Sequence, residues 1–205
     1  MRRRRVWAGT IGAVIGWGIA GLDGGFAETV DIPAPRADFV ASGTLISSKL
    51  GTVPFDLARH GPLVRQVVSY PTDRVEMVFD RHDALVTVVG FGTATILPTN
   101  GADASLLEPF SRAERLADAP LQIVRNGIGS HLGIACEQFR AIGTMRGEPL
   151  RATACVTADG IPLVTAIMSG ELRVDTEITS IEFDPPEPTL FEQPSLSTAY
   201  PVTSG

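Results

Sequence analysis

Residues 131–183 read HLGIACEQFRAIGTMRGEPLRATACVTADGIPLVTAIMSGELRVDTEITSIEF. Four apolar-rich runs stand there, parted by TMRGEP at 144–149, by Asp159-Gly160 and by Ser169-Gly170. Short β-rich runs between turn residues form strands, and Asp-Gly between two such runs is a strong hairpin signal. The stretch predicts an antiparallel meander of four strands.

The chain has two cysteines, Cys136 and Cys155. With the first hairpin turning between Met145 and Arg146, Cys136 faces Cys155, Gln138 faces Thr153 and Arg140 faces Arg151. Opposed residues of an antiparallel pair lie about 4.5–5.5 Å apart at Cα, within reach of a disulfide. The same register sets two arginines face to face, which is unfavourable, so a bulge near Gly147 is expected to shift the far end. Two lone cysteines are too few to build a structural zinc site. A Cys136–Cys155 disulfide is the expectation, worth about 3 kcal/mol for a loop of this length.

Outward from the meander, residues 38–47 (DFVASGTLIS), 54–57 and 63–70 (LVRQVVSY) are β-rich. Residues 74–80 alternate, with Val75, Met77 and Phe79 on one side and Arg74, Glu76 and Asp80 on the other. Period two of this kind marks a half-buried strand. Residues 85–91 (LVTVVGF) are apolar on both sides, as in a strand that is central or lines an apolar space. Residues 103–117 break the pattern: Leu106, Phe110, Ala113 and Leu116 recur at helical spacing. Pro109 fits only near a helix start, and Ser111 with Glu114 has the form of a capping box. One amphipathic helix is expected, secure from Ser111. A short strand at 121–125 and a turn at 126–129 lead into the cysteine hairpin. The fold class is thus mainly β (α+β): a large curved antiparallel sheet of nine or ten strands, a half-barrel, covered by one helix.

Residues 2–5 are four arginines, residues 6–22 are apolar, and residues 25–27 end in a small residue. That is the form of a secretory signal peptide, with the cut expected between Ala27 and Glu28. The apolar run is short and glycine-rich for a membrane span, and nothing after it is long enough to be one. The expected layout is a signal peptide at 1–27, an extended linker at 28–36, one domain at 37–194 and a flexible tail at 195–205. The product is placed in the periplasm or outside the cell, where a disulfide persists. The whole chain carries a net charge of −6, and four of its seventeen basic residues fall in the leader. Such an acidic chain is not a nucleic-acid binder.

The motif "C-V-T-x-D-G-I-x-L" with its earlier paired cysteine resembles exported bacterial proteins of unknown function that have the half-barrel of the outer-membrane lipoprotein carriers. The resemblance covers about residues 121–194. It is carried by Cys136, Cys155, Thr157, Asp159, Gly160 and Leu163, then by Leu190, Phe191 and Pro194. It implies a sheet wrapped around a helix and an apolar interior that holds lipid or an acyl chain. One departure is that Gln138 and Phe139 stand where that group has a larger aromatic after the first cysteine.

Enzymatic signatures are lacking. His60, His82 and His131 form no metal-spaced pair and no nucleophile–base pair. His82 lies in an Asp-rich turn. Glu171, Asp175 and Glu177 share a strand face that reads as solvated, with Glu182 on the other. No cofactor, no metal site and no catalytic residue are expected. The leading expectation is a non-enzymatic envelope protein holding an apolar ligand (lipid, acyl chain or lipoprotein) between sheet and helix. The ligand wall would be Met77, Phe79, Leu85, Val89, Phe91, Leu106 and Phe110. The alternative is a structural or protein–protein module of the cell envelope with a closed core.

Overall fold

The computed structural model describes Val30, residues 32–98 and residues 106–192. Eleven strands follow in order: β1 (Phe39–Ser47), β2 (Gly51–His60), β3 (Leu63–Ser69), β4 (Arg74–Asp80), β5 (Leu85–Gly90), β6 (Thr93–Pro98), β7 (Gln122–His131), β8 (Ile134–Met145), β9 (Glu148–Val156), β10 (Pro162–Ser169) and β11 (Leu172–Glu182). One helix, α1 (Ser111–Leu116), precedes β7, and a 3-10 turn (Pro188–Phe191) follows β11. The signal peptide and the tail, with Pro194, lie outside the described residues.

All eleven strands form one open antiparallel sheet in the order β6-β5-β4-β3-β2-β1-β11-β10-β9-β8-β7. The chain runs outward from β1 to one edge, then returns inward from the other edge to β11. The first strand pairs with the last, Leu45 opposite Thr176. β6 and β7 are opposite edges, and the described residues between them, from Leu106 on, pass from the side of β4 and β5 to β8 and β9. This crossing strap lies on the face that carries Phe39, Phe55, Met77 and Phe139.

The strap explains why the expected covering helix is not found. Its helix is six residues long, a turn and a half. Pro109 bars helix before it. The capping box is absent too: Phe110 is the N-cap, without a side-chain cap, and the Ser111 hydroxyl donates instead to the Glu108 carbonyl. Covering is done by side chains of the strap. Leu107 is buried with Phe39, Phe55, Phe79 and Val86. Phe110 and Ala113 are buried with Phe139, Ala141, Leu150 and Ala152, where small alanines on β8 and β9 admit them.

The meander forms as read, with a different register. The β8–β9 turn is Arg146-Gly147, at φ of 53° and 79°, and Met145 faces Glu148. A two-residue turn with both φ values positive matches the twist of its strands. The pairing therefore slides by two residues: Cys155 faces Gln138, and Arg140 faces Thr153. The arginine clash disappears without a bulge. Cys136 and Cys155 are still bonded, diagonally, at a Cα separation of 5.4 Å. Residues 126–129 are not a turn. They belong to β7, which bulges between Arg125 and Gly127 and turns at Leu132-Gly133.

Residues 32–36 have no regular structure. Val30 and Ile32 pack against the β8–β9 cluster, and the Arg36 amide donates to the Asp159 carbonyl. Arg59 donates to the carbonyls of Arg36 and Ala37, both at 2.8 Å. Gly160, at φ 80°, must be glycine for a second reason: any Cβ would strike the backbone of Pro33 and Ala34 as they pass over it.

Candidate functional site

The strap fills its face unevenly. Over β8 and β9 the gap is closed by Phe110, Ala113, Val30 and Ile32. Over β3–β6 a groove of about 420 Å³ remains. Its floor is Val68, Val75, Met77 and Val88, with Leu97 on the edge strand and Leu106 as its roof. These are neighbours across the pleat: Val68 faces Val75, and Met77 faces Val88. A buried polar group fastens the roof. Gln66, 4% exposed, accepts the Leu106 amide with its Oε1 at 2.8 Å. Arg81 and Glu108 tie the strap to the β4–β5 turn at 3.4 Å.

Phe91 stands at the mouth. With Gly92 it makes the β5–β6 turn, at φ of 51° and 71°. It is 68% exposed, with its ring 6.2 Å from that of Tyr70. Its amide donates to the Asp73 carboxylate.

Of the expected wall, Met77, Phe91 and Leu106 line the groove. Phe79 points to the same face but is buried in the core beneath Leu107. Phe110 packs over β8–β9, away from the groove. Leu85 and Val89 belong to the opposite face, facing Asp80 and Glu76 across β4. Side chains alternate along a strand, and residues 85–91 are apolar on both sides, so periodicity could not choose between odd and even positions there. The register does: the turn at 81–84 pairs Leu85 with Asp80 and so places Val86 and Val88 opposite Phe79 and Met77. Val68, Tyr70, Val75 and Leu97 were also missed, since only assembly of β3–β6 brings them together.

Several titratable groups serve the fold. The amides of His82 and Asp83 both donate to Asp80, at 2.9 and 3.2 Å, which makes a solvated hairpin tip. His131 ends β7 rather than opening a strand, and its Nε2 lies 2.6 Å from the Ile178 carbonyl. Asp118, just after α1, accepts the amides of Gly147 and Arg146 at 3.0 and 2.8 Å. Those bonds, Gly147's first, hold its carboxyl below the usual carboxylate range. Among the described residues no three of His, Cys, Asp and Glu converge to hold a metal. Nor is any helix among them long and apolar enough to cross a membrane.

No protein-family model and no curated protein matches the chain. Solved structures do. MucB in complex with MucA(peri) is similar at 16% identity and a TM-score of 0.47, over 78% of this chain and 55% of that one. A LolA superfamily protein from Nitrosomonas europaea is similar at 8% identity and a TM-score of 0.38, over 78% and 92%. The Mycobacterium tuberculosis lipoprotein LppX is similar at 10% and 0.35, over 72% and 90%. The chain spans about half the length of the MucB chain it matches. These are likenesses of fold alone.

Proposed function

We propose that this is an exported, non-enzymatic protein of the cell envelope that binds an apolar ligand in the groove between β3–β6 and the strap. One observation carries the reading: a groove of about 420 Å³, walled in part by Val68, Val75, Met77, Val88, Leu97 and Leu106, remains between β3–β6 and the strap. Pockets of this size and lining take small apolar ligands, and exposed apolar surface without a use is costly in a soluble chain. The leader is removed before Glu28, and the product works in the periplasm or outside the cell.

The test is native mass spectrometry of the chain exported with its leader and purified without detergent. The expected result is a protein starting at Glu28, carrying a mass that organic solvent removes. A bare protein that also refuses dodecanol overturns the binding reading. In that event the second reading gains, an interaction module working through a sheet edge. It is supported by β7, a ten-residue edge strand with Ile128 85% exposed. Unpaired edges accept a partner's strand.

A further inference from the structure

Beside the apolar groove lies a second depression, of about 610 Å³, and Arg112 of α1 lines both. Three turns bound the depression. The β1–β2 turn brings Lys49, the β8–β9 turn Arg146, and the β10–β11 turn Ser169 and Glu171. Three cations thus meet one carboxylate, in a chain whose net charge is −6. Several other arginines of the fold have a carboxylate partner: Arg59 has Asp38, Arg65 has Glu76, Arg81 has Glu108, Arg125 has Glu137 and Arg173 has Asp175, while Arg36, Arg140 and Arg151, outside this depression, have no ion pair among the described residues. The side chains of Lys49, Arg112 and Arg146 form no ion pair among the described residues. A further polar group in the same depression is unsatisfied. Ser169 is 4% exposed, and its hydroxyl has no hydrogen-bond partner. A buried hydroxyl left unbonded costs free energy unless a water or ligand satisfies it.

We infer that the two depressions form one site for an amphiphile with an anionic head. The head, a carboxylate or phosphate, sits among Arg112, Lys49, Arg146 and the Ser169 hydroxyl. A single alkyl chain runs past Arg112 into the groove under Leu106. Guanidinium suits both heads, since its planar fork bonds two oxygens at once. The groove's volume lies in the lower part of the range for small-ligand pockets, which favours one chain over two. The site presupposes the apolar groove proposed above, and its test separates the two.

Dodecanoate, dodecyl phosphate and dodecanol share a chain and differ in the head. Each is titrated calorimetrically, below micelle-forming concentration, into the delipidated exported chain. The expected result is that one or both anions bind about tenfold or more tighter than the alcohol, the size of a charged hydrogen-bonded contact. Added salt narrows that ratio. Arg112→Leu brings it close to one, and Ser169→Ala lowers it severalfold. Removing an unbonded hydroxyl does not threaten the fold, so Ser169→Ala keeps the test open if Arg112→Leu unfolds. Arg125→Gln, on the distant edge strand, leaves the ratio as it was. A preference for dodecanoate alone points to fatty acids, and one for dodecyl phosphate alone to phosphate-headed lipids. Equal binding of all three, or a ratio unmoved in the folded variants, overturns the head site and leaves the groove standing. Binding of none overturns both.

Discussion

Phe91 holds a left-handed backbone conformation that asparagine or glycine adopts more cheaply, by about 1 kcal/mol for most residue types. Its side chain recovers little in return, being 68% exposed. A local rule broken at a groove mouth is expected where the residue serves binding. Phe91→Asn should therefore leave stability equal or higher in urea denaturation, while dodecanol uptake weakens roughly fivefold, about 1 kcal/mol of lost apolar contact. Weaker folding with unchanged uptake would show Phe91 to be a packing residue. Asp118 is the opposite case, a polar residue bound wholly to structure. Its carboxylate receives the two amides of the Arg146-Gly147 turn. A carboxyl whose pKa is depressed in the fold contributes stability above its unfolded value of about 3.9, and loses it as pH falls through the lower folded value. Asp118→Asn should thus be less stable than the parent at pH 7, and the gap should shrink steadily below about pH 4. A gap constant down to pH 2 would mean that charge plays no part in the clamp.

At the scale of elements, strands were legible because alternation and turn residues are local signals. The run at 74–80 is β4, and the four runs of the meander are β8 to β11. Register was less legible, since Arg146-Gly147 and the Met145–Arg146 midpoint differ by one step that only turn geometry decides. The covering helix misled for a different reason. Leu106, Phe110 and Ala113 do face the sheet, at spacings that a helix shares with an extended strap dotted with turns. What limits the helix is Pro109 at one end and the extended backbone of Ala117 at the other. The disulfide survived the register error because sliding by two residues keeps both cysteines on one side of the sheet. It staples β8 to β9 across a separation of 19 residues. Replacing both cysteines by alanine should cost about 3 kcal/mol in the chain-entropy model, measured by denaturant unfolding. A cost near zero would mean that the hairpin is held equally well by β7 and the His131 contact.

For the molecule as a whole, the closing pair β1–β11 lies in the middle of the sheet and the strap passes from the side of β4 and β5 to β8 and β9. Stability should then be graded from centre to edges. Local openings are cheapest where backbone hydrogen bonds are exposed and apolar contacts few, which describes β6, whose residues 93–97 are all exposed. Native-state hydrogen exchange should find the amides of β1, β2, β10 and β11 slowest, with β6, β7 and Leu106 opening at much lower free energy. Leu106 reports the roof of the groove, because its amide donates to Gln66 there. Gln66→Leu keeps the volume and removes the acceptor, at a cost of about 1–3 kcal/mol for the orphaned amide. That cost should fall on the strap, speeding exchange at Leu106 while β1 and β11 keep their rates. Saturating ligand should do the reverse in the parent, slowing Leu106 and β6 and leaving β7 untouched, since no residue of β7 lines the groove or the depression beside it. Protection spread evenly over both edges would place the ligand elsewhere, and protection confined to β7 would favour a protein partner on that edge.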